Sequence, residues 1–459
     1  MPVHRVTPQT SGEVGLLEGR FAPGHLGELT QIVPFEMVDA ALEETRALQQ
    51  RLRDLPARVV VYLLLAGCLF PEVGYLGVWR KLTAGLCGSR APIPTPSASA
   101  LAQARRRVGP APLRWLFELL RGPAAAPDQL GTWWRGLLVC AIDGTTLTVP
   151  DNPAVGTRFA KHPGNHGGTG YPQLRLLALV ACGTRAIIDA VLGPTTIGET
   201  TYAPRLLGSL KPGMIVLADR NFAAKNLLAD IAATGAHLLV RCKNARKMPV
   251  LTRHRDGSYL SLMGGDLRVR VIDAEITVTT SAGRHSGRYR LVTTLLDPDE
   301  YPAEEVIRLY HERWEIETTY LELKSSMLGG RVLRARTPAG IEQEVYALLV
   351  SYQLLRTAIA DAVTGHGSLD PDRASFTVAW QTARDQVVQA GNVIAETVID
   401  LIGTIGRHVL AQPLPARRER KSPRIVKRAI SKYQARGPDP DRASHIATLN
   451  IDILTGAPP

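Results

Sequence analysis

Aromatic residues make up only 5% of this chain, and its five cysteines are fewer still. Cys68, Cys87, Cys140, Cys182 and Cys242 are widely spaced, odd in number and free of any C-x-x-C pair. Neither a disulfide framework nor a zinc site is supported. Long apolar runs are missing as well. The longest, Val59 to Phe70 (VVVYLLLAGCLF), is about half the roughly 20 residues a bilayer crossing needs, so it reads as a buried core helix and no membrane partner is expected. No basic-then-apolar pattern opens the chain, and Glu13 and Glu18 fall early. A cytoplasmic location is therefore expected. Acids are in short supply: 42 Asp and Glu stand against 54 Lys and Arg, a net charge of +12. Such an excess points to a polyanionic partner, nucleic acid before a membrane surface. Aliphatic content is ordinary, and 459 residues suffice for about three domains with real cores.

The periodicity divides the chain. Residues 1–25 are punctuated by Gly and Pro and read as an N-terminal arm. Residues 26–130 read as helical, with an acidic stretch from Ala40 to Arg53, the apolar helix from Pro56 to Phe70, and a basic helix from Ser97 to Val108 (SASALAQARRRV). Arg105, Arg106 and Arg107 fill the last turn of that helix. Two readings are open: a recognition helix lying against DNA, or an ordinary helix whose arginines complement the macrodipole.

From Gly136 the period becomes that of strands. GLLVCAID is an apolar run ended by Asp143, and YPQLRLLALVACGTRAIIDAVLG reads as two strands joined at Cys182 to Thr184. A helical segment around Thr200 to Leu210 precedes the strand KPGMIVLAD, ended by Asp219. A helix from Ala223 to Thr234 and the strand HLLVRCK complete a first core segment, 136–243. Residues 244–296 alternate as a β-rich insertion, 297–365 return to helix as a second core segment, and 366–412 add C-terminal helices. The tail, 413–459, carries nine Lys or Arg between Arg417 and Arg436 against one acid, Glu419, as a solvated or DNA-tracking tail would.

The segment Ala303 to Leu328 reads as one helix. At about 100° per residue, Tyr310, Arg313, Glu317 and Lys324 fall at roughly 0°, 300°, 340° and 320°, on a stripe shared with Val306, Trp314, Leu321 and Leu328. The remaining acids, Glu304, Glu305, Glu312, Glu315 and Glu322, fall on the opposite side and are expected to face water. Charges on an apolar stripe need partners. Asp143 and Asp219, each ending an apolar strand, are the acids placed to supply them, whereas Asp189 lies mid-run, as an outward strand residue would.

Three carboxylates from two strands and a helix form a set able to hold two divalent cations about 3.5 to 4 Å apart for in-line phosphodiester displacement. Hard cations take oxygen ligands, so Asp and Glu suit Mg²⁺, with Mn²⁺ able to replace it. Asp143, Asp219 and Glu317 are thus the candidate catalytic and metal-ligating residues. Arg313 and Lys324 are either phosphate donors or counter-ions for Glu317. Tyr310 is either a phosphate contact or a core aromatic with a satisfied hydroxyl. Arg220 and Asn221, directly after Asp219, either position DNA or form a turn. The loop Arg158 to Gln173 is basic and glycine-rich but lacks the G-K-[ST] of a phosphate-binding loop, so no nucleotide cofactor is expected. Pro163 and Gly164 between His162 and His166 break the geometry by which that pair would bind metal.

The spacing Y-x2-R-x3-E-x6-K of Tyr310, Arg313, Glu317 and Lys324 resembles the signature of insertion-sequence-four-type DDE transposases. DGTTLTVPD from Asp143 and LADRNF around Asp219 resemble the blocks carrying that family's first and second catalytic aspartates, and PARVVVYLLLAGCLF with SASALAQARRRVG is similar to its N-terminal region. The resemblance implies an α/β fold: an RNase H-like catalytic domain with a β-rich insertion, preceded by an all-helical DNA-binding domain. It also implies Mg²⁺-dependent cleavage at element ends and attack of the freed 3′-OH on target DNA. Tyr310, Arg313 and Lys324 would then hold phosphates beside the scissile bond. Terminal inverted repeats, target DNA and a second copy of the chain would be the partners, in a bacterial cytoplasm at the nucleoid. A structure-specific nuclease without strand transfer, or a non-catalytic DNA-binding regulator, would share part of these features.

Overall fold

The structure, a computed structural model, describes residues 25–49, 51, 55–85, 93–127, 129–161, 170–280, 283–366, 369–389, 403–414 and 448–454. Residues 1–24 of the N-terminal arm, His162, His166 and the basic run from Arg417 to Arg436 lie outside them. Five helices open the described chain: α1 (Phe35–Glu44), α2 (Ala57–Leu69), α3 (Tyr75–Ala84), α4 (Ala98–Val108) and α5 (Ala111–Leu120). Almost every residue of α2 is buried, because a helix apolar on all sides is stable only when enclosed. The Ser97 hydroxyl accepts from the Ala100 amide and caps α4, satisfying an amide that the first turn leaves unpaired.

A mixed sheet follows. Its strands are β1 (Trp133–Trp134), β2 (Leu137–Thr148), β3 (Gln173–Ala181), β4 (Ile187–Pro194), β5 (Met214–Ala218), β6 (His237–Cys242), β7 (Thr252–Arg253), β8 (Tyr259–Met263), β9 (Leu267–Thr280) and β10 (Gly283–Thr293). The order is β4-β3-β2-β5-β6-β10-β9-β8-β7, with β2, β5 and β6 parallel and the other pairs antiparallel. The β-rich insertion is continuous with this sheet, since β10 pairs directly with β6. Short helices α6 (Pro153–Gly156) and α7 (Glu199–Tyr202) and the longer α8 (Lys225–Ala233) connect the strands. Alternate residues of β2 serve two cores: Leu137, Val139 and Ala141 pack with the helical layer, Leu138, Cys140 and Ile142 with α7 and α8.

Beyond the sheet come α9 (Ala303–Tyr310), α10 (Trp314–Leu321), α11 (Pro338–His366), α12 (Phe376–Gln389) and α13 (Gly403–Ala411). A last strand, β11 (Thr448–Ile453), pairs antiparallel with β9, inside the segment the sequence presented only as a tail. No helix of the described residues is long and apolar enough to cross a membrane.

The structure corrects three local expectations. Asp143 does not end its strand: β2 runs on to Thr148, held by β3, while its parallel pairing with β5 stops at Ile142 and Ala218. The segment 303–328 is not one uniform helix, because a 3-10 turn at His311–Arg313 and a π-helical turn at Glu322–Met327 flank α10. These turns shift the phase of the buried face, so Glu315 and Glu322 are 3% and 7% exposed, whereas Trp314 and Leu321 are 45% and 55% exposed. Asp189 points inward: it is buried, paired with Arg121, and accepts from the Ser209 hydroxyl at 2.6 Å.

Candidate active site

Where β5 stops and β2 continues, the sheet opens a notch beside Asp143. Asp219 follows β5 directly, and its side chain caps a 3-10 turn at Arg220–Phe222 by accepting from the Asn221 amide at 2.8 Å. Strand alternation continues Asp143 and Asp219 on the face of Ala141 and Leu217, the side packed by the helical layer. From that side α10 presents Glu317.

Two tyrosines lock this helical segment onto the sheet. The Tyr320 hydroxyl donates to the Asp143 carbonyl at 2.5 Å and accepts from the Ala178 amide at 3.2 Å. The Tyr310 hydroxyl donates to the Ala218 carbonyl at 3.2 Å, one residue before Asp219. Tyr310 is 9% exposed, and its hydroxyl has this backbone partner.

Arg313 stands between two of the carboxylates. Its Nη1 lies 3.3 Å from Asp143 Oδ2 and its Nη2 3.3 Å from Glu317 Oε1. Arg313 is thus ion-paired with both carboxylates. Lys324, on the π-helical turn, points the same way, with Nζ 3.3 Å from the Thr145 hydroxyl two residues beyond Asp143. Burial pushes the Asp143 carboxyl up to about 6; the Gly144 amide and Arg313 oppose that shift, while Asp219 and Glu199 add to it. A carboxylate so placed favours a cation.

The donor set fits a hard divalent ion, being all carboxylate oxygen with a buried member that lacks full charge compensation. Among the described residues, however, no three acidic, histidine or cysteine side chains converge closely enough to hold an ion. Arg313 lies between Asp143 and Glu317.

Glu199 was not among the residues picked out from the sequence. It opens α7 on the other side of β2, accepts from Arg175 Nη1 at 2.7 Å, and lies so close to Gly144 that a methyl group there would collide with its carboxylate. Only the glycine after Asp143 hinted that something must approach the strand.

Arg220 and Asn221 are exposed on their turn. Arg105 and Arg106 are far from it in sequence but line a cavity of about 280 Å³ with Arg334, Arg336 and Gln343, between α4 and the start of α11. The Arg105 guanidinium stacks 3.7 Å over the Tyr75 ring, and its buried Nε has no hydrogen-bond partner among the described residues. Arg107 is exposed and does not line that cavity.

Two family models match the chain: the insertion element 4 transposase N-terminal model over residues 23–118 and the transposase DDE domain model over residues 134–354. The transposase InsG for insertion sequence element IS4 of Escherichia coli (strain K12) is 25% identical over 412 residues, covering 87% of this chain and 91% of its own. A second relative, InsZ of the same organism, is 29% identical over 206 residues, covering 45% of this chain and 67% of its own. Among solved structures, the piggyBac transposase synaptic complex with hairpin DNA aligns with a TM-score of 0.42 at 10% identity, covering 86% of each chain.

Proposed function

Because this chain belongs to the insertion-sequence-four-type DDE transposases, we propose that it cuts DNA at the ends of its own element and joins the freed 3′-OH to target DNA. The observation that carries this reading is the notch at the end of β5, which sets Asp143 beside Asp219 with Glu317 facing them across Arg313.

Asp143, Asp219 and Glu317 would hold two divalent cations, Mg²⁺ or Mn²⁺ in its place. When bound, these supply Lewis-acid stabilisation of the phosphoryl group in transit. The chain's own side chains do the rest. Arg313 presents a planar fork that matches a phosphate as well as it matches two carboxylates, so an arriving phosphodiester competes for it and releases Asp143 and Glu317. Lys324 adds a point charge on the same side. The Tyr310 and Tyr320 hydroxyls hold the carboxylate-bearing backbone still while this exchange occurs.

The cavity of Arg105, Arg106, Arg334 and Arg336 extends the basic surface from α4 to the segment following the Glu317 helix. It suits the backbone of the same duplex, with Arg107, Arg220 and Asn221 as exposed flanking contacts. Two copies of the chain would bring two ends together, in the bacterial cytoplasm at the nucleoid.

The test uses the full chain and a plasmid carrying the DNA that flanks this coding sequence. Mg²⁺ should produce nicks at the element ends and joined products, and Asp219→Asn should lose both while binding the plasmid nearly as well. Nicks without joined products would reduce the activity to that of a nuclease. Undiminished nicking by Asp219→Asn would remove that residue from the mechanism.

A further inference from the structure

On α10, Glu315 lies two residues before Glu317, and Glu322 follows the helix five residues after Glu317. On a helical wheel both fall roughly 140° to 160° away from Glu317, on the opposite face. One guanidinium reaches both of them: Arg185 Nε is 2.5 Å from Glu315 and its Nη1 is 3.6 Å from Glu322. Its Nη2 is 2.9 Å from Asp372. Arg356 pairs with the other Glu322 oxygen, and the Tyr352 hydroxyl lies 2.8 Å from Glu322 and 3.0 Å from the Arg185 carbonyl. Three carboxylates thus share two guanidinium groups in a buried cluster. It joins the β3–β4 turn, the helical segment of Glu317, α11 and the turn at Pro371–Arg373.

Two facts say that this cluster supplies geometry. Arg185 has φ +57°, a backbone conformation that glycine adopts freely and an L side chain rarely does. An arginine standing where glycine would be unstrained is there for its side chain. Buried ion pairs can also be replaced by apolar residues with little loss of stability, and in some proteins what they add instead is a fixed arrangement. A planar fork holding two points about two turns apart on one helical segment fixes its rotation and its slide together. A lysine ammonium, a single point, cannot.

We propose that Arg185 is a positioning residue for Glu317: by gripping Glu315 and Glu322 on the back of the segment, it aims Glu317 at Asp143. This rests on the reading of Glu317 as the third catalytic carboxylate.

The test compares the full chain with Arg185→Lys and with the paired substitution Arg185→Met/Glu315→Leu, which removes one charge of each sign. Four properties are measured: thermal unfolding, binding to the flanking-DNA plasmid, single-turnover nicking against Mn²⁺ concentration, and amide exchange over residues 314–321. Both folded variants should bind plasmid within about threefold of the parent and nick about 30- to 100-fold more slowly, with half-maximal Mn²⁺ raised about tenfold, as small misplacements of reacting groups do. Exchange should quicken over 314–321 and stay unchanged in β2 and β5.

A folded variant that nicks at the parental rate with unchanged Mn²⁺ dependence overturns the proposal. If Arg185→Lys does not fold, the paired variant decides; if neither folds, the cluster is a folding element and the positioning role is refuted. Should the parent chain itself fail to nick, the transposase mechanism fails separately. Exchange then decides the Arg185 role, with unchanged protection over 314–321 refuting it.

Discussion

The Arg313 guanidinium lies 3.3 Å from the Asp143 carboxylate, joining two residues 170 positions apart. The same side chain holds Glu317 on its own helical segment. Asp143 and Glu317 therefore share one internal cation. On the proposed reading, an ion held by Asp143 and Glu317 would compete with the Arg313 contacts, and a phosphate that drew Arg313 away would favour the ion.

Arg313→Ala accordingly separates two effects. Without DNA, the variant should bind Mn²⁺ more tightly than the parent, by about tenfold, a difference of about 1.4 kcal/mol. With DNA, its nicking should be slower, because the phosphate fork is gone. Titration of Mn²⁺ followed by electron paramagnetic resonance reads the first effect. An unchanged Mn²⁺ affinity in the DNA-free variant would mean that Arg313 does not compete with the ion.

Asp143→Asn should stabilise the metal-free protein at pH 8. The Asp143 carboxyl titrates near 6 in the folded chain because burial disfavours its charge, against about 3.9 in an unfolded chain. Above pH 6 the folded protein bears an ionised group it holds poorly, which costs up to about 3 kcal/mol. As pH falls from 6 towards 4 the carboxyl takes up a proton in the folded state and the disadvantage fades. Denaturant unfolding at pH 8 and pH 4.5 should show the gain only at the higher pH. A gain equal at both would assign the effect to something other than this charge.

Tyr320→Phe removes a hydroxyl that has both a donor and an acceptor at the Asp143 register. The Ala178 amide and the Asp143 carbonyl lose a buried partner, so stability should drop by about 1 to 3 kcal/mol. Tyr310→Phe, which frees only the Ala218 carbonyl, should lose about 1 kcal/mol and leave plasmid affinity unchanged. A marked loss of affinity in a stable Tyr310→Phe would restore that hydroxyl to the DNA contacts.

The arginine-lined cavity predicts a salt effect. Replacing Arg106 and Arg336 together by Ala should flatten the slope of log affinity against log salt by about 2, since each phosphate contact contributes about 0.9 for duplex DNA. Affinity measured at several salt concentrations tests this. A slope identical to the parent would place the duplex elsewhere.

The strands were legible because their signal is local: apolar runs bounded by turn residues locate β3 to β6 within a few residues and the start of β2, though not its extension to Thr148. The motif around Glu317 was legible for the same reason, its spacing being short and rigid. The burial of Glu315 and Glu322 was not. Their partners arrive from Arg185, Arg356 and Asp372, on three other parts of the chain, and a wheel drawn for one helix cannot contain them. Nor could it anticipate the 3-10 and π-helical turns that shift its phase. Glu199 escaped because its nearness to Gly144 is a contact across β2, and β11 because it pairs with a strand far earlier in the chain.

By itself, then, the sequence determined the scarcity of metal-binding cysteine, the excess of positive charge, the element types and the choice of Asp143, Asp219 and Glu317 as candidate acids. Composition and short-range spacing suffice for these. Only the tertiary structure decided what pairs with Asp143 and Glu317, that Tyr310 and Tyr320 brace the backbone, and which glutamates are buried behind the site. Each depends on groups brought together by packing, where a removed solvent shell turns a distant residue into the nearest available partner.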